Sequence, residues 1–177
     1  HNIFQLHQNS DSYRTIKCTS EGFYIDRGSK FYGYAYPVKS EEELKIKIEE
    51  IILAKENFEF KLQQICDLLE SEVSYYDWVG FYFKNGDKEE LKLSQFTGEE
   101  TEHTIIAYGK GICGQVAVSN QNFIVEDVKA LDNYIACSIH VKAEIVIPLF
   151  KDGINVGQID VDSNSAAPFS KKDERFL

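Results

Sequence analysis

The sequence predicts an α/β fold: a central antiparallel or mixed β-sheet flanked by helices, with a small strand–helix extension in front of it. Three observations predict it. Two turn signatures, Asn85-Gly86-Asp87 and Lys151-Asp152-Gly153, each divide β-rich runs into a hairpin. Two stretches ahead of the first hairpin carry apolar residues at helical spacing, and a helix start, Ser170 with Asp173, follows the last one. With 177 residues, 43% apolar and 13% aromatic, the chain can bury a core, which argues for one domain plus an appendage and against disorder.

Taken in order, residues 11–38 read as short strands, Tyr13–Cys18, Gly22–Asp26 and Lys30–Val38, with Gly28 and Ser29 between the last two. Pro37 ends this run. Ser40 with Glu43 forms a capping box for a helix bearing Leu44, Ile48, Ile51 and Ile52 on one stripe. A second amphipathic helix spans Asn57–Glu72, with Phe58, Leu62, Ile65, Leu68 and Leu69 on one face and Cys66 inside it as a buried apolar thiol. Tyr76–Lys84 is a nearly continuous apolar strand that turns into Glu90–Phe96. A loop, 97–108, leads to a Gly-rich segment from which Gly111–Ser119 starts a short helix. Asn122–Val128 follows as a strand and Lys129–Val141 as a polar excursion, before the hairpin of Glu144–Phe150 and Ile154–Asp162 and a terminal helix capped at Ser170. On these grounds residues 1–56 form the extension and residues 57–177 the main domain.

The formal charge of −10 excludes a nucleic-acid-binding face of the usual kind, which needs clustered Lys and Arg. Neither a long apolar run nor a signal-like start is present, so no membrane partner is expected and the cytoplasm is the expected compartment. The chain has no Met and opens on His1, which reads as a processed or trimmed chain. Four cysteines, at 18, 66, 113 and 137, lack zinc-knuckle spacing and disulfide-scaffold density, so a disulfide here would be catalytic or transient.

Chemistry concentrates in two places. Cys113 lies in Gly109-Lys-Gly-Ile-Cys-Gly114 and Cys137 in Tyr134-Ile-Ala-Cys-Ser138, both settings in which a sulfur stays reachable. Their sharpest reading is thiol redox, one thiolate becoming a sulfenic acid and the other condensing with it to a disulfide. Two unrelated buried thiols are the bland reading. The dipole of the helix at 111–119 would favour the thiolate of Cys113, which points to Cys113 as nucleophile. A zinc site from Cys113, Cys137, His103 and His140 lacks the short ligand spacing that structural zinc favours, so no metal is expected.

The second place is the last strand. Asp160 and Asp162 point to one side of it; Gly157 and Gln158 precede them, and Val156 and Ile154 are the next same-face positions back. A two-residue Asp152-Gly153 loop pairs Glu144 with residue 161 and sends the glutamate to the other face, whereas a three-residue loop with a Gly bulge pairs it with 160 and completes a three-carboxylate floor. Such a floor suits a ligand ammonium, or holds a proton for a departing oxygen. A hard metal ion and a solvated strand end are the alternatives. Trp78 is a core residue of its hairpin or the aromatic wall of a ligand pocket.

Five blocks in one order carry a resemblance: Trp78-Val-Gly-Phe-Tyr82, Gly109-Lys-Gly-Ile-Cys-Gly114, Ile135-Ala-Cys-Ser138, Ala143-Glu-Ile-Val-Ile-Pro-Leu149 and Ile159-Asp-Val-Asp-Ser163. With these, residues 57–177 resemble the free methionine-(R)-sulfoxide reductases, single GAF-domain enzymes. The resemblance implies a GAF-like fold, reduction of free L-methionine-(R)-sulfoxide, and thioredoxin as reductant, with no cofactor. It implies that Cys137 attacks the sulfoxide sulfur and that Cys113 forms the disulfide, reversing the order the helix dipole suggests. It also implies that Glu144, Asp160 and Asp162 hold the amino acid and assist protonation of its oxygen, and that Trp78 walls the methyl-sulfur end. One departure stands out, because the family usually carries a third cysteine upstream of the Gly-rich loop, where this chain offers His103.

Residues Gly22 to Val38 and the acidic helix after them resemble the opening of the IMPACT-type family, whose later His- and Asp-Asp-Gly-containing blocks do not follow; no function is carried over. From another class, a non-catalytic GAF module that senses a small ligand fits the same composition, and the helical surface of 40–72 leaves room for a homodimer.

Overall fold

The computed structural model describes residues 20–26, 29–35, 41–130 and 140–177. The chain divides into two compact units, residues 1–44 and residues 45–177. In the first, β1 (Ser20–Asp26) and β2 (Ser29–Ala35) pair antiparallel in a hairpin, with Asp26 opposite Ser29. The expected strand Tyr13–Cys18 and the Ser40 capping position lie outside the described residues. Helix α1 (Glu41–Leu53) begins where the capping box places it and opens with three glutamates, which suit the positive end of the helix dipole.

In the second unit, helix α2 (Phe58–Glu72) is capped by Asn57, whose Oδ1 accepts the Phe60 amide at 2.8 Å. Leu62, Cys66 and Leu69 are buried and Ile65 packs against them, so the expected face holds except at Phe58, which stays largely exposed with its ring centroid 5.7 Å from that of Phe83. Then follow β3 (Trp78–Lys84), β4 (Glu90–Thr97), β5 (Ile105–Ala107), helix α3 (Gly111–Ser119), β6 (Phe123–Val125), a single 3-10 turn (Val128–Ala130), β7 (Ala143–Lys151), β8 (Ile154–Ser163) and helix α4 (Lys171–Phe176). The segment read as a loop, 97–108, thus contains the edge strand β5, and the strand expected over 122–128 shortens to three residues.

The six strands form one sheet in the order β5-β4-β3-β8-β7-β6, every neighbouring pair antiparallel. Period-two alternation divides its side chains between two cores. One face carries Val79, Phe81, Ile145, Ile147, Ile159 and Val161 against α2. The other carries Trp78, Tyr82 and Val146 against Ile112, Cys113 and Val116 of α3.

Cys66 lies in the α2 core with no exposed surface, and burial, then the neighbouring Asp67 charge, push its thiol up to about 12. It is the inert buried thiol the sequence suggests. The capping box at α4 is present as expected: the Ser170 amide and hydroxyl both donate to Asp173 Oδ2 at 2.7 Å. Asp173 does more than cap. Its Oδ1 accepts the hydroxyls of Tyr75 at 2.7 Å and Tyr76 at 2.9 Å, tying α4 to the start of β3.

Burial pushes the Asp173 carboxyl up, but these bonds from Tyr75, Ser170 and Tyr76 outweigh it and hold it below its ordinary 3.8. A carboxyl depressed in the folded state contributes stability above its unfolded pKa and loses it as pH falls through the folded one. Asp173→Ala is therefore expected to cost roughly 2–4 kcal/mol at neutral pH, because it strands two tyrosine hydroxyls and a cap. Urea unfolding should show that deficit shrinking as the pH is taken below 3.8.

Candidate functional site

The turn between β7 and β8 decides where the acids go. Asp152 and Gly153 both have positive φ, 53° and 76°, and Lys151 pairs with Ile154, so this is the two-residue turn of the primed type. On its own that turn would send Glu144 to the face opposite Asp160. A β-bulge prevents it: Phe150 faces Asn155 while Leu149 faces Gly157, so β8 holds one extra residue there. Beyond the bulge Glu144 stands opposite Asp162, and Val146 opposite Asp160. The glutamate thus joins the two aspartates on one face, as the three-residue-loop alternative expects, though by a tight turn plus a bulge. On this face the neighbour of Asp160 is Gln158, fully buried, as alternation requires, and the bulge interrupts the pattern only further back, around Val156.

This is the α3 face of the sheet. Across β3, Asp162 pairs with Trp78 and Asp160 with Gly80. The Trp78 ring lies against Gly80, where a methyl group would come 2.2 Å from Cη2, and it stacks on Phe96 at 5.5 Å while its Nε1 donates to the Glu99 carbonyl at 3.1 Å. Trp78 is thus a core residue of this face and is not among the residues that line the cleft described next.

Helix α3 delivers the sulfur. Its entry turn calls for glycine, with Gly109 and Gly111 at φ 79° and 58°, conformations that other residues adopt at a cost. Lys110 N donates to Ala107 O at 3.1 Å, and Gly109 N to Gly114 O at 2.8 Å. Gly114 is required by contact, because a methyl there would meet the Ala107 carbonyl at 2.5 Å. Cys113, in the first turn of α3 and 4% exposed, donates its thiol to Asp160 Oδ2 at 3.2 Å.

A cleft opens over this contact. Cys113, Glu144 and Asp160 form its floor, Ile106 and Ile112 its apolar walls, and His103 and Lys110 also line it. The Cys113 sulfur and one carboxylate oxygen each of Glu144 and Asp160 lie within 4.8 Å of one another. Sulfur plus two oxygens could hold a metal ion. Of the zinc set weighed from sequence, Cys113 and His103 line the cleft, His140 is exposed, and Cys137 lies outside the described residues.

The acids are strongly perturbed. Burial, then the charges of Asp160 and Asp162, raise Glu144 well above its usual range. Burial likewise raises Asp160 to about 7, against the opposing hydrogen bonds with Cys113 and Glu144. Asp160 Oδ1 has no hydrogen-bond partner among the described residues. A floor of this kind binds a cation or keeps a proton at neutral pH, the two uses that burial of neighbouring carboxyl groups allows.

Of the site residues expected from sequence, Cys113, Glu144 and Asp160 meet in the cleft, Asp162 and Trp78 lie behind it on the same face, and Cys137 and Tyr134 lie outside the described residues. Sequence reasoning did not single out Ile106, Lys110 or Ile112 as cleft residues. The only signal for Lys110 was its place between two glycines.

Residues 58–177 match the family model of the GAF domain, so the fold is that of a GAF domain. Among curated relatives, GAF domain-containing protein A of Dictyostelium discoideum is 34% identical over 158 residues, covering 89% of this chain and 94% of that protein. The free methionine-R-sulfoxide reductase of Escherichia coli is 32% identical over 127 residues, covering 72% and 75%. The free methionine-R-sulfoxide reductase of Neisseria meningitidis, solved in complex with its substrate, aligns with a TM-score of 0.73 and 34% identity over 77% of this chain and 81% of that one. The chain belongs to the free methionine-R-sulfoxide reductase family within the GAF domains.

The raised acids give a pH signature. A carboxyl whose folded pKa exceeds its unfolded one adds stability that is fully present below the unfolded value and is lost as pH rises through the folded value. Unfolding free energy should therefore fall between pH 3.8 and about 7, by on the order of 2–4 kcal/mol. Asp160→Asn should flatten that fall and be the more stable form at pH 8, measured by denaturant unfolding across the range.

Proposed function

We propose that this chain reduces free L-methionine-(R)-sulfoxide to methionine through a cysteine sulfenic acid and a Cys113–Cys137 disulfide, and that residues 57–177 carry the activity. The observation that carries the reading is the Cys113 thiol 3.2 Å from Asp160, with Glu144 in the same cleft, in a chain of this family. The Cys137 sulfur attacks the sulfoxide sulfur while a protonated carboxyl of the Glu144–Asp160 pair donates its proton to the departing oxygen. Methionine leaves reduced, and Cys137 carries the oxygen as a sulfenic acid. Cys113 then attacks that sulfur, a disulfide forms and water departs.

A thiol that donates to a carboxylate is held protonated until needed. This supports Cys113 in the second step rather than the first. Thioredoxin, a dithiol, returns two electrons by exchange with the disulfide, restoring both thiols. The acid floor holds the substrate ammonium, and Asp162 and Trp78 back it from behind. Where the family usually has a third cysteine, His103 lines the cleft, so recycling runs through the single disulfide. A thioredoxin-linked reductant accords with a reducing cytoplasmic setting; among the described residues no helix is long and apolar enough to cross a membrane.

The test is NADPH oxidation coupled through thioredoxin reductase and thioredoxin, with each sulfoxide epimer supplied separately. Turnover with the R epimer is expected, and Cys137→Ser should lose about 10³-fold or more. Cys113→Ser should give a single turnover without recycling. Equal rates for wild type and Cys137→Ser, or ligand binding with no disulfide on mild oxidation, would instead mark a non-catalytic sensor of small ligands.

A further inference from the structure

The proposed chemistry uses the thiols and the acids but leaves idle the one charged side chain inside the Gly109-Lys110-Gly111 turn. We infer that Lys110 is the residue that selects a substrate with a free α-carboxylate, binding that group at the opening of the cleft. The inference rests on the reductase reading of the same cleft. Four observations carry it.

First, the cleft is charge-ordered: two buried acids on the floor, Ile106 and Ile112 on the walls, and Lys110 and His103 among its lining. A free amino acid with an apolar side chain carries complementary groups, an ammonium for the acids, methylenes for the isoleucines and a carboxylate for the lysine. Second, the floor already holds a buried acceptor in need of a partner, since Asp160 is 1% exposed and its Oδ1 has no hydrogen-bond partner among the described residues. An anionic carboxylate brought near that floor is repelled unless a cation faces it.

Third, none of the ion pairs formed among the described residues uses Lys110, and the side chain is exposed, so its ammonium can turn toward an incoming anion. Fourth, its backbone is fixed. Lys110 O accepts Gly114 N at 2.9 Å and Lys110 N donates to Ala107 O at 3.1 Å, so the turn presents the side chain from one place next to Cys113. A cation on a hydrogen-bonded turn, three residues from the resolving thiol, is positioned to set which end of the substrate enters first.

The experiment compares L-methionine-(R)-sulfoxide with its carboxamide, which keeps the amine and the sulfoxide but lacks the anion. Wild type, Lys110→Ala and Lys110→Arg are assayed in the thioredoxin-coupled system at about pH 6, where both amines are protonated. Lys110→Ala should lower kcat/KM for the free acid about tenfold or more, mainly through KM, and Lys110→Arg should restore most of it. The preference for acid over amide should collapse in Lys110→Ala, because the amide never used the lysine. Equal losses for acid and amide, or no loss for either, overturn the inference while leaving the reductase reading intact. If no sulfoxide turns over at all, the reductase reading fails. Calorimetric binding of L-methionine sulfoxide then decides the carboxylate contact by itself: weaker binding to Lys110→Ala supports it, and unchanged binding overturns it.

Discussion

Three carboxyl side chains buried on one face of two adjacent strands is the constraint around which the rest of this molecule is arranged. Removing Glu144, Asp160 and Asp162 from water penalises their ionised forms, and their closeness penalises them again. The fold meets that cost locally. The Cys113 thiol donates to Asp160, and the raised proton affinity of Glu144 and Asp160 lets the pair keep hydrogen at neutral pH. Asp160, whose Oδ1 has no hydrogen-bond partner among the described residues, lines the cleft. A stability cost concentrated at one place in this way is what a ligand site looks like before its ligand arrives.

The sheet separates the two tasks by its faces. Against α2 the side chains are aliphatic and aromatic, with Cys66 sealed among them, and this face holds the domain together. Against α3 the same strands present Trp78, Gly80, Asp160, Asp162 and Glu144. Here close approach matters more than apolar area. Gly80 makes room for the Trp78 indole, and Gly114, in α3, lets the helix approach the Ala107 carbonyl, where a methyl group would come within 2.5 Å.

Much of this was legible in the residues. Cysteine in a Gly-rich turn, alternating acids in a β-rich run and the capping box at Ser170 each follow from local chemistry, and all three stand where reading the chain puts them. On α2 only Phe58 departs from the expected buried face, because it sits at the first position of the helix, where it stays largely exposed. Strand β5 was missed because three residues, Ile105 to Ala107, carry too little alternation to register, and pairing with β4 rather than any local preference makes it a strand. Lys110 passed unnoticed as a cleft residue because a single lysine carries no periodic signal.

The sequence by itself determined the class of fold, the order of its elements and the identities of the reactive groups, because helical and strand periodicity, turn chemistry and thiol or carboxyl reactivity belong to residues and their near neighbours. Only the tertiary structure decided that Glu144 shares a face with Asp160 and Asp162. That outcome turns on one extra residue in β8, and the alternation of side chains converts a one-residue shift in pairing into a change of face. It likewise decided that Cys113 meets Asp160, residues 47 positions apart in the chain. Such a contact depends on how a helix seats on a sheet, which close packing fixes and no local run of residues encodes.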